Sequence, residues 1–141
     1  MRLLLDTCVL AELRKPNRAE SVVRFVSALQ DESLYVSVLT LGEIIKGIAL
    51  LDESKKKRDL TAWLLGLEAQ FAERILGVDA ETTEIWGQNT AAASRIGIVI
   101  PAVDGLIAAT AMRHGLTVAT RNFRHFQDFG VKVINPWEPD V

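Results

Sequence analysis

The chain has 141 residues, 49% of them hydrophobic and only 6% aromatic, which fits a single domain whose interior is built from Leu, Val, Ile and Ala, as when helices pack on a sheet. A formal net charge of −2 excludes a protein that coats nucleic acid through bulk charge, so any such contact has to be local. The lone cysteine, Cys8, excludes an internal disulfide framework. There is no signal-peptide pattern at the start, and IGIVIPAV is too short and interrupted to cross a bilayer, so the expectation is a soluble, cytoplasmic protein with no membrane segment.

The three leucines of LLLDT read as a short strand covered on both faces, as in a parallel sheet. Val9 to Lys15 follows as a short helix ended by Pro16 and Asn17. From Glu20 to Gln30, Val22, Val26 and Leu29 recur at helical spacing, and LYVSV has the β-branched and aromatic content of a second strand. Thr40 opens a helix to about Leu51 with Leu41, Ile44, Ile45, Ile48 and Leu51 on its apolar side. DESKKKRD, residues 52–59, reads as a solvated charged turn or helix end. Leu60 to Ala72 is helical, RILGVD gives a third short strand, and Glu81 to Ile96 a further helix. Asp104 stands near the start of the helix GLIAATAMRH, whose end is marked by His114 and Gly115. TVAT and VKVI are two more strands, and NPW closes the chain with Trp137 as an anchor.

Strands separated by helices imply right-handed crossovers and a mainly parallel sheet, an α/β fold. Such open sheets bind ligands beyond the carboxyl ends of their strands. Asp6 follows the first strand, Arg121 and Asn122 follow TVAT, and Glu43 lies one turn into the helix after the second strand. Polar groups distant in sequence therefore converge at one edge.

Each acid has a plainer reading. Asp6 suits a helix N-cap, and Thr40-Leu41-Gly42-Glu43 fits a capping box. Asp104 can cap the helix it precedes, although Ala108 and Ala111, one and two turns on, put it over a small apolar face where solvation is poor. Asn122 suits a turn. Taken jointly, three carboxylates and an amide at one sheet edge form an oxygen-rich pocket that favours Mg²⁺ or Mn²⁺, because several acids in close contact need a cation to stay ionised. A divalent ion there lowers the pKa of water and stabilises charge developing on a phosphodiester. With two histidines, His114 and His125, and one cysteine, zinc is disfavoured. Arg14, Lys15, Arg121 and Arg124 are expected at the same edge, where they would hold phosphates. The run Lys55 to Arg58 reads as a solvated face, and Trp63 and Trp86 as core or subunit-contact residues.

LLLDTCVLAELRKP, SVLTLGEIIKGIALL, PAVDGLIAATAMRHGLTVATRNFRHF and INPW, in this order and spacing, resemble the PIN-domain ribonucleases, specifically the VapC and FitB-like toxins of bacterial toxin–antitoxin pairs. The resemblance runs almost end to end. It implies one PIN domain over residues 1–141, a three-layer sandwich with a short, mainly parallel sheet flanked by helices, and a Mg²⁺- or Mn²⁺-dependent endoribonuclease. Asp6, Glu43 and Asp104 match the family's acidic positions and Asn122 its fourth polar position. Asp6 and Asp104 would hold the metal, Glu43 would join them by positioning water or acting as base, and Asn122 would complete the outer coordination, with Thr7 hydrogen-bonded in the site. Two positions depart from the pattern: Cys8 stands where many relatives have Asn, and His125 where many carry an acid. The resemblance also implies an RNA substrate, with transfer RNA the family expectation, a homodimer, and a small VapB- or FitA-like antitoxin that contacts operator DNA, so that this chain meets DNA only indirectly.

Three other classes of protein share some of these features. A haloacid dehalogenase-type phosphatase would want a second Asp where Cys8 sits. A receiver domain would use Asp79 as phosphoacceptor but lacks a Lys at Arg121-Asn122. A PIN-like module that only binds a partner would have no need of all three acids.

Overall fold

The structure, a computed structural model, describes residues 1–140. Five short strands, β1 (Leu3–Leu5), β2 (Leu34–Ser37), β3 (Ile75–Leu76), β4 (Thr117–Ala119) and β5 (Val133–Ile134), form one sheet in the order β3-β2-β1-β4-β5. Every pairing is parallel, with Leu3 opposite both Leu34 and Thr117, and Leu5 opposite Ala119. The α/β parallel-sheet expectation holds. β1 is the central strand, which is why its three leucines are at most 1% exposed.

Side chains alternate along a strand, so β1 feeds two cores. Leu3 and Leu5 join Val9, Leu10, Val22, Val26, Leu41, Ile44, Ile48, Leu64 and Leu67 on one face. Those residues come from α1 (Thr7–Arg14), α2 (Glu20–Ser27), α3 (Val38–Ala49) and α4 (Lys55–Gln70). Leu4 points to the other face, where it meets Ala93, Ile107, Ala108, Ala111, Phe126 and Phe129 of α5 (Ala80–Arg95), α6 (Ala102–His114) and α7 (Phe123–Phe129). Three layers result. Gly115 ends α6 in the left-handed region at φ 66°, the terminus that glycine permits.

Some helix starts differ from the sequence reading. α3 begins at Val38, capped by Ser37, whose Oγ accepts from the Leu39 amide at 3.0 Å. β2 thus turns directly into α3 with no loop, and Thr40 is buried inside the first turn rather than capping it. This overturns the Thr40–Glu43 capping box: Glu43 sits in the second turn, past the free amides. α4 begins at Lys55 under a Ser54 cap, with the Lys57 amide 3.1 Å from Ser54 Oγ. The basic run is therefore the opening of a helix and not a turn. Positive charge is unfavourable at a helix N-terminus, and here Asp59 and Glu53 offset it, pairing with Lys55 at 2.7 Å and Lys57 at 3.3 Å. Asp79, the receiver-domain candidate, is the N-cap of α5 and accepts from the Thr82 amide and hydroxyl. No helix among the described residues is long and apolar enough to cross a membrane.

Candidate active site

Asp6 leaves the carboxyl end of the central strand. Its backbone N–H continues the ladder to the carbonyl of Ala119 at 3.0 Å, which fixes the residue over the sheet edge. It occupies the N-cap position of α1, yet its side chain makes no capping hydrogen bond. The plain capping reading fails here. The carboxylate is only 7% exposed and accepts from Thr120 Oγ1 at 2.8 Å. Cys8 Sγ stands 3.9 Å from the same oxygen and 3.5 Å from Thr120 Oγ1. Burial pushes the Asp6 carboxyl above its ordinary range, hydrogen bonds from Thr120 and the Thr7 backbone oppose this, and the negative charge of Asp104 adds to the rise. Burial also pushes the Cys8 thiol up, so Cys8 is a packing neighbour and not an activated nucleophile.

Glu43 faces this carboxylate from α3. Thr7, the first residue of α1, donates its hydroxyl to Glu43 Oε1 at 3.1 Å. Burial raises the Glu43 carboxyl, the Thr7 hydrogen bond opposes it, and Asp6 and Asp104 both push it further up. Asp104 lies in the first turn of α6 rather than at its cap, which is Pro101; negative charge is favoured there by the helix dipole. Beneath it Ala108 and Ala111 are fully buried, as the small-faced helix predicted. Asp104 Oδ2 is 2.8 Å from His125 Nδ1 of α7.

The structure thus brings Asp6, Glu43 and Asp104 into one electrostatic neighbourhood. Among the described residues no three His, Cys, Asp or Glu side chains are gathered tightly enough to hold an ion; each acid is instead held by its own partner, Thr120, Thr7 or His125. The donors themselves suit a hard divalent cation: they are carboxylate oxygens, and burial together with the charge of Asp104 raises Asp6 and Glu43, an imbalance that Mg²⁺ or Mn²⁺ would offset.

Asn122 reaches the rim only. It is exposed at the start of α7 without a side-chain capping bond, while its backbone N–H donates to Thr120 Oγ1 at 3.0 Å. Arg121 stacks on the Trp137 ring at 4.1 Å, which is how Trp137 anchors the chain end, and Arg121 and Arg124 line a cavity of about 270 Å³ with Asn122, Phe123 and His125. Arg14 and Lys15 do not join them. α1 starts beside the acids and carries Arg14 about 10 Å along its axis, where it stacks over Trp63 at 5.7 Å, and Lys15 pairs with Glu12 at 3.1 Å. Sequence reasoning missed Thr120 as a site residue. Its signal was available: β1 and β4 are neighbours in register, and each apolar run ends in a polar residue, Asp6 and Thr120.

A family profile described as PIN domain matches residues 3–132. The toxin FitB of Neisseria gonorrhoeae is 42% identical over 136 residues, spanning 96% of this chain and 98% of the relative. A VapC ribonuclease, Y4jK of Sinorhizobium fredii, is 36% identical over 138 residues, 97% of this chain and 99% of the relative. The fold is similar to the solved structure of FitAB bound to an IR36 DNA fragment, with a TM-score of 0.89 and 40% identity over 96% of this chain and 95% of that one. The chain belongs to the PIN-domain family, among its FitB- and VapC-like members.

Proposed function

We propose that this chain is the toxin of a toxin–antitoxin pair, a divalent-metal-dependent endoribonuclease that cleaves RNA, with transfer RNA as its substrate, and so inhibits translation until its antitoxin neutralises it. The observation that carries this reading is the meeting of three acids at the carboxyl edge of the sheet, where burial and the charge of Asp104 push both Asp6 and Glu43 up. The ribonuclease name of the VapC relative supports the reaction class. The FitAB complex on DNA supports an antitoxin partner and an indirect link to operator DNA.

Asp6 and Asp104 would hold Mg²⁺ or Mn²⁺, with Glu43 the third acid toward it. When bound, the ion supplies Lewis-acid stabilisation of the charge that develops on the scissile phosphate. Glu43, held at Oε1 by Thr7 and raised in pKa, is suited to take a proton from the attacking water, since a general base works best when its pKa approaches the operating pH. Thr120 fixes the rotamer of Asp6. Arg121 and Arg124, at the rim, would hold neighbouring phosphates of the RNA strand. Beside Glu43 a groove of about 540 Å³, lined by Val38, Leu39, Lys46, Leu50 and Val103, gives a second protein an apolar surface; Leu50 is 76% exposed. Either the antitoxin or the second subunit of a homodimer would cover it.

The test is cleavage of a mixed transfer RNA pool by the purified chain, freed of any partner, with Mg²⁺, with Mn²⁺ and with chelator, beside Asp6→Asn and Asp104→Asn. Metal-dependent cutting that both variants lack is expected. Cutting by both at the wild-type rate would remove the proposed centre, and inhibition by the product of the neighbouring gene would identify the antitoxin.

A further inference from the structure

We propose that Arg121, stacked on Trp137, is a platform for an RNA base next to the scissile phosphate. The inference rests on the reading that this chain cleaves RNA, and adds a base-binding subsite beside the acids.

Arg121 Cζ stands 4.1 Å from the centre of the Trp137 ring, closer than Arg2 to Tyr35, Arg14 to Trp63 or Arg74 to Phe71. Those three stacks lie elsewhere. Arg2 and Arg74 precede β1 and β3 and so belong to the opposite edge of the sheet, and α1 carries Arg14 away from the acids. Arg121 follows Thr120, the partner of Asp6, and lines one cavity with His125, the partner of Asp104. A strand whose phosphate sits at the acids therefore has a neighbouring base within reach of Arg121.

The platform is built in advance. Trp137 packs half-buried against the core that holds Leu5 and Val26, and its backbone N–H donates to Asn135 Oδ1 at 3.0 Å, with Pro136 between them fixing φ. Arg121 is exposed, and the hydrogen bond it makes runs from its backbone N–H to Cys8 Sγ at 3.4 Å. A guanidinium with an indole against one face keeps its other face for a second ring, and its N–H edges for a phosphate. Unpaired RNA bases stack on guanidinium planes as they do on aromatic rings. Lysine carries the same charge without the plane.

The experiment is fluorescence anisotropy of two end-labelled strands, a short oligoadenylate and a ribose-phosphate strand of equal length without bases. Each is titrated with the full-length wild type, Arg121→Lys and Trp137→Leu, in chelator. The wild type is expected to hold the oligoadenylate about tenfold more tightly than the abasic strand. Both variants should lose most of that preference, while Arg121→Lys keeps the wild-type affinity for the abasic strand. No preference in the wild type, an unchanged preference in Arg121→Lys, or an equal loss on both strands would overturn the platform and leave cleavage of transfer RNA standing. Binding of neither strand would overturn it too, and if the wild type then also leaves the transfer RNA pool uncut, the ribonuclease reading falls with it.

Discussion

Thr120 Oγ1 donates a hydrogen bond of 2.8 Å to Asp6 Oδ2 across neighbouring strands, between two residues 114 positions apart in the chain. Asp6 is 7% exposed and Thr120 fully buried, so water cannot replace this bond. Thr120→Val is expected to cost about 1–3 kcal/mol, because it leaves a buried carboxylate short of a donor. Thr120→Ser should recover most of it. Thermal unfolding of both variants, alone and combined with Asp6→Asn, checks this; equal midpoints for Val and Ser would mean the hydroxyl contributes nothing.

A pH dependence follows from the same burial. Asp6 and Glu43 titrate above their ordinary values of 3.8 and 4.5, so there is an interval in which the folded chain holds protons the unfolded chain has lost. Stability therefore falls as pH rises through that interval. Asp79 and Glu12 are lowered, chiefly by hydrogen bonds from the Thr82 and Ala19 backbone amides; their contribution is present above the ordinary carboxylate values and is lost as pH falls through their depressed ones. The thermal midpoint of the metal-free protein should thus rise from neutrality towards acid and fall again below 3.8, with Asp6→Asn flattening the rise. Calorimetry in chelator measures it, and a steady decline from pH 7 downward would contradict the buried Asp6 carboxyl.

Glu43→Gln separates catalysis from capping. Gln serves a capping box as well as Glu does, so a capping role predicts no loss of activity. Glu43 stands in the second turn of α3, hydrogen-bonded to Thr7, and the substitution should lower the cleavage rate by about 10²-fold or more with the melting temperature unchanged or higher. Retained activity would remove Glu43 from the chemistry.

Thr40 offers a test of where α3 begins. Its Oγ1 is buried without a hydrogen-bond partner, so Thr40→Val should be neutral or stabilising by up to about 1 kcal/mol. Ser37→Ala should cost about 1 kcal/mol through the lost cap. The reverse order in urea unfolding would restore Thr40 as the cap.

Two helical glycines should respond in opposite ways to alanine. At Gly66 an added Cβ meets nothing within 4 Å, and the helix gains about 0.5–1 kcal/mol. At Gly105 it would come within 3.1 Å of Trp86 Cδ1 and Nε1, and overpacking should outweigh that gain. The missing Cβ of Gly105 thus leaves the room in which the Trp86 ring of α5 lies against α6. A stabilised Gly105→Ala would show that the ring moves aside freely.

The fold was legible because its signals are local. Three leucines before an acid mark a buried parallel strand, and the apolar spacing of Val22 and Val26 marks a helix face; neither depends on distant residues. Helix starts were less legible, since Ser37 and Thr40 are both acceptable caps and only the direct turn from β2 into α3 selects Ser37. The acids Asp6, Glu43 and Asp104 were legible as a set through their strand-end and helix-start positions. The cations were legible in part: Arg121 and Arg124 stand at the rim, while the length and direction of α1 carry Arg14 away to Trp63.

By itself, then, the sequence determined which residues are buried and which carry charge at the ends of elements, since hydrophobic periodicity and the cost of burying an acid act within a few residues of the chain. Only the tertiary structure decided who partners whom. Thr120 with Asp6, Thr7 with Glu43 and His125 with Asp104 are contacts between elements far apart in sequence, and their geometry is set by the order β3-β2-β1-β4-β5, which no local pattern encodes.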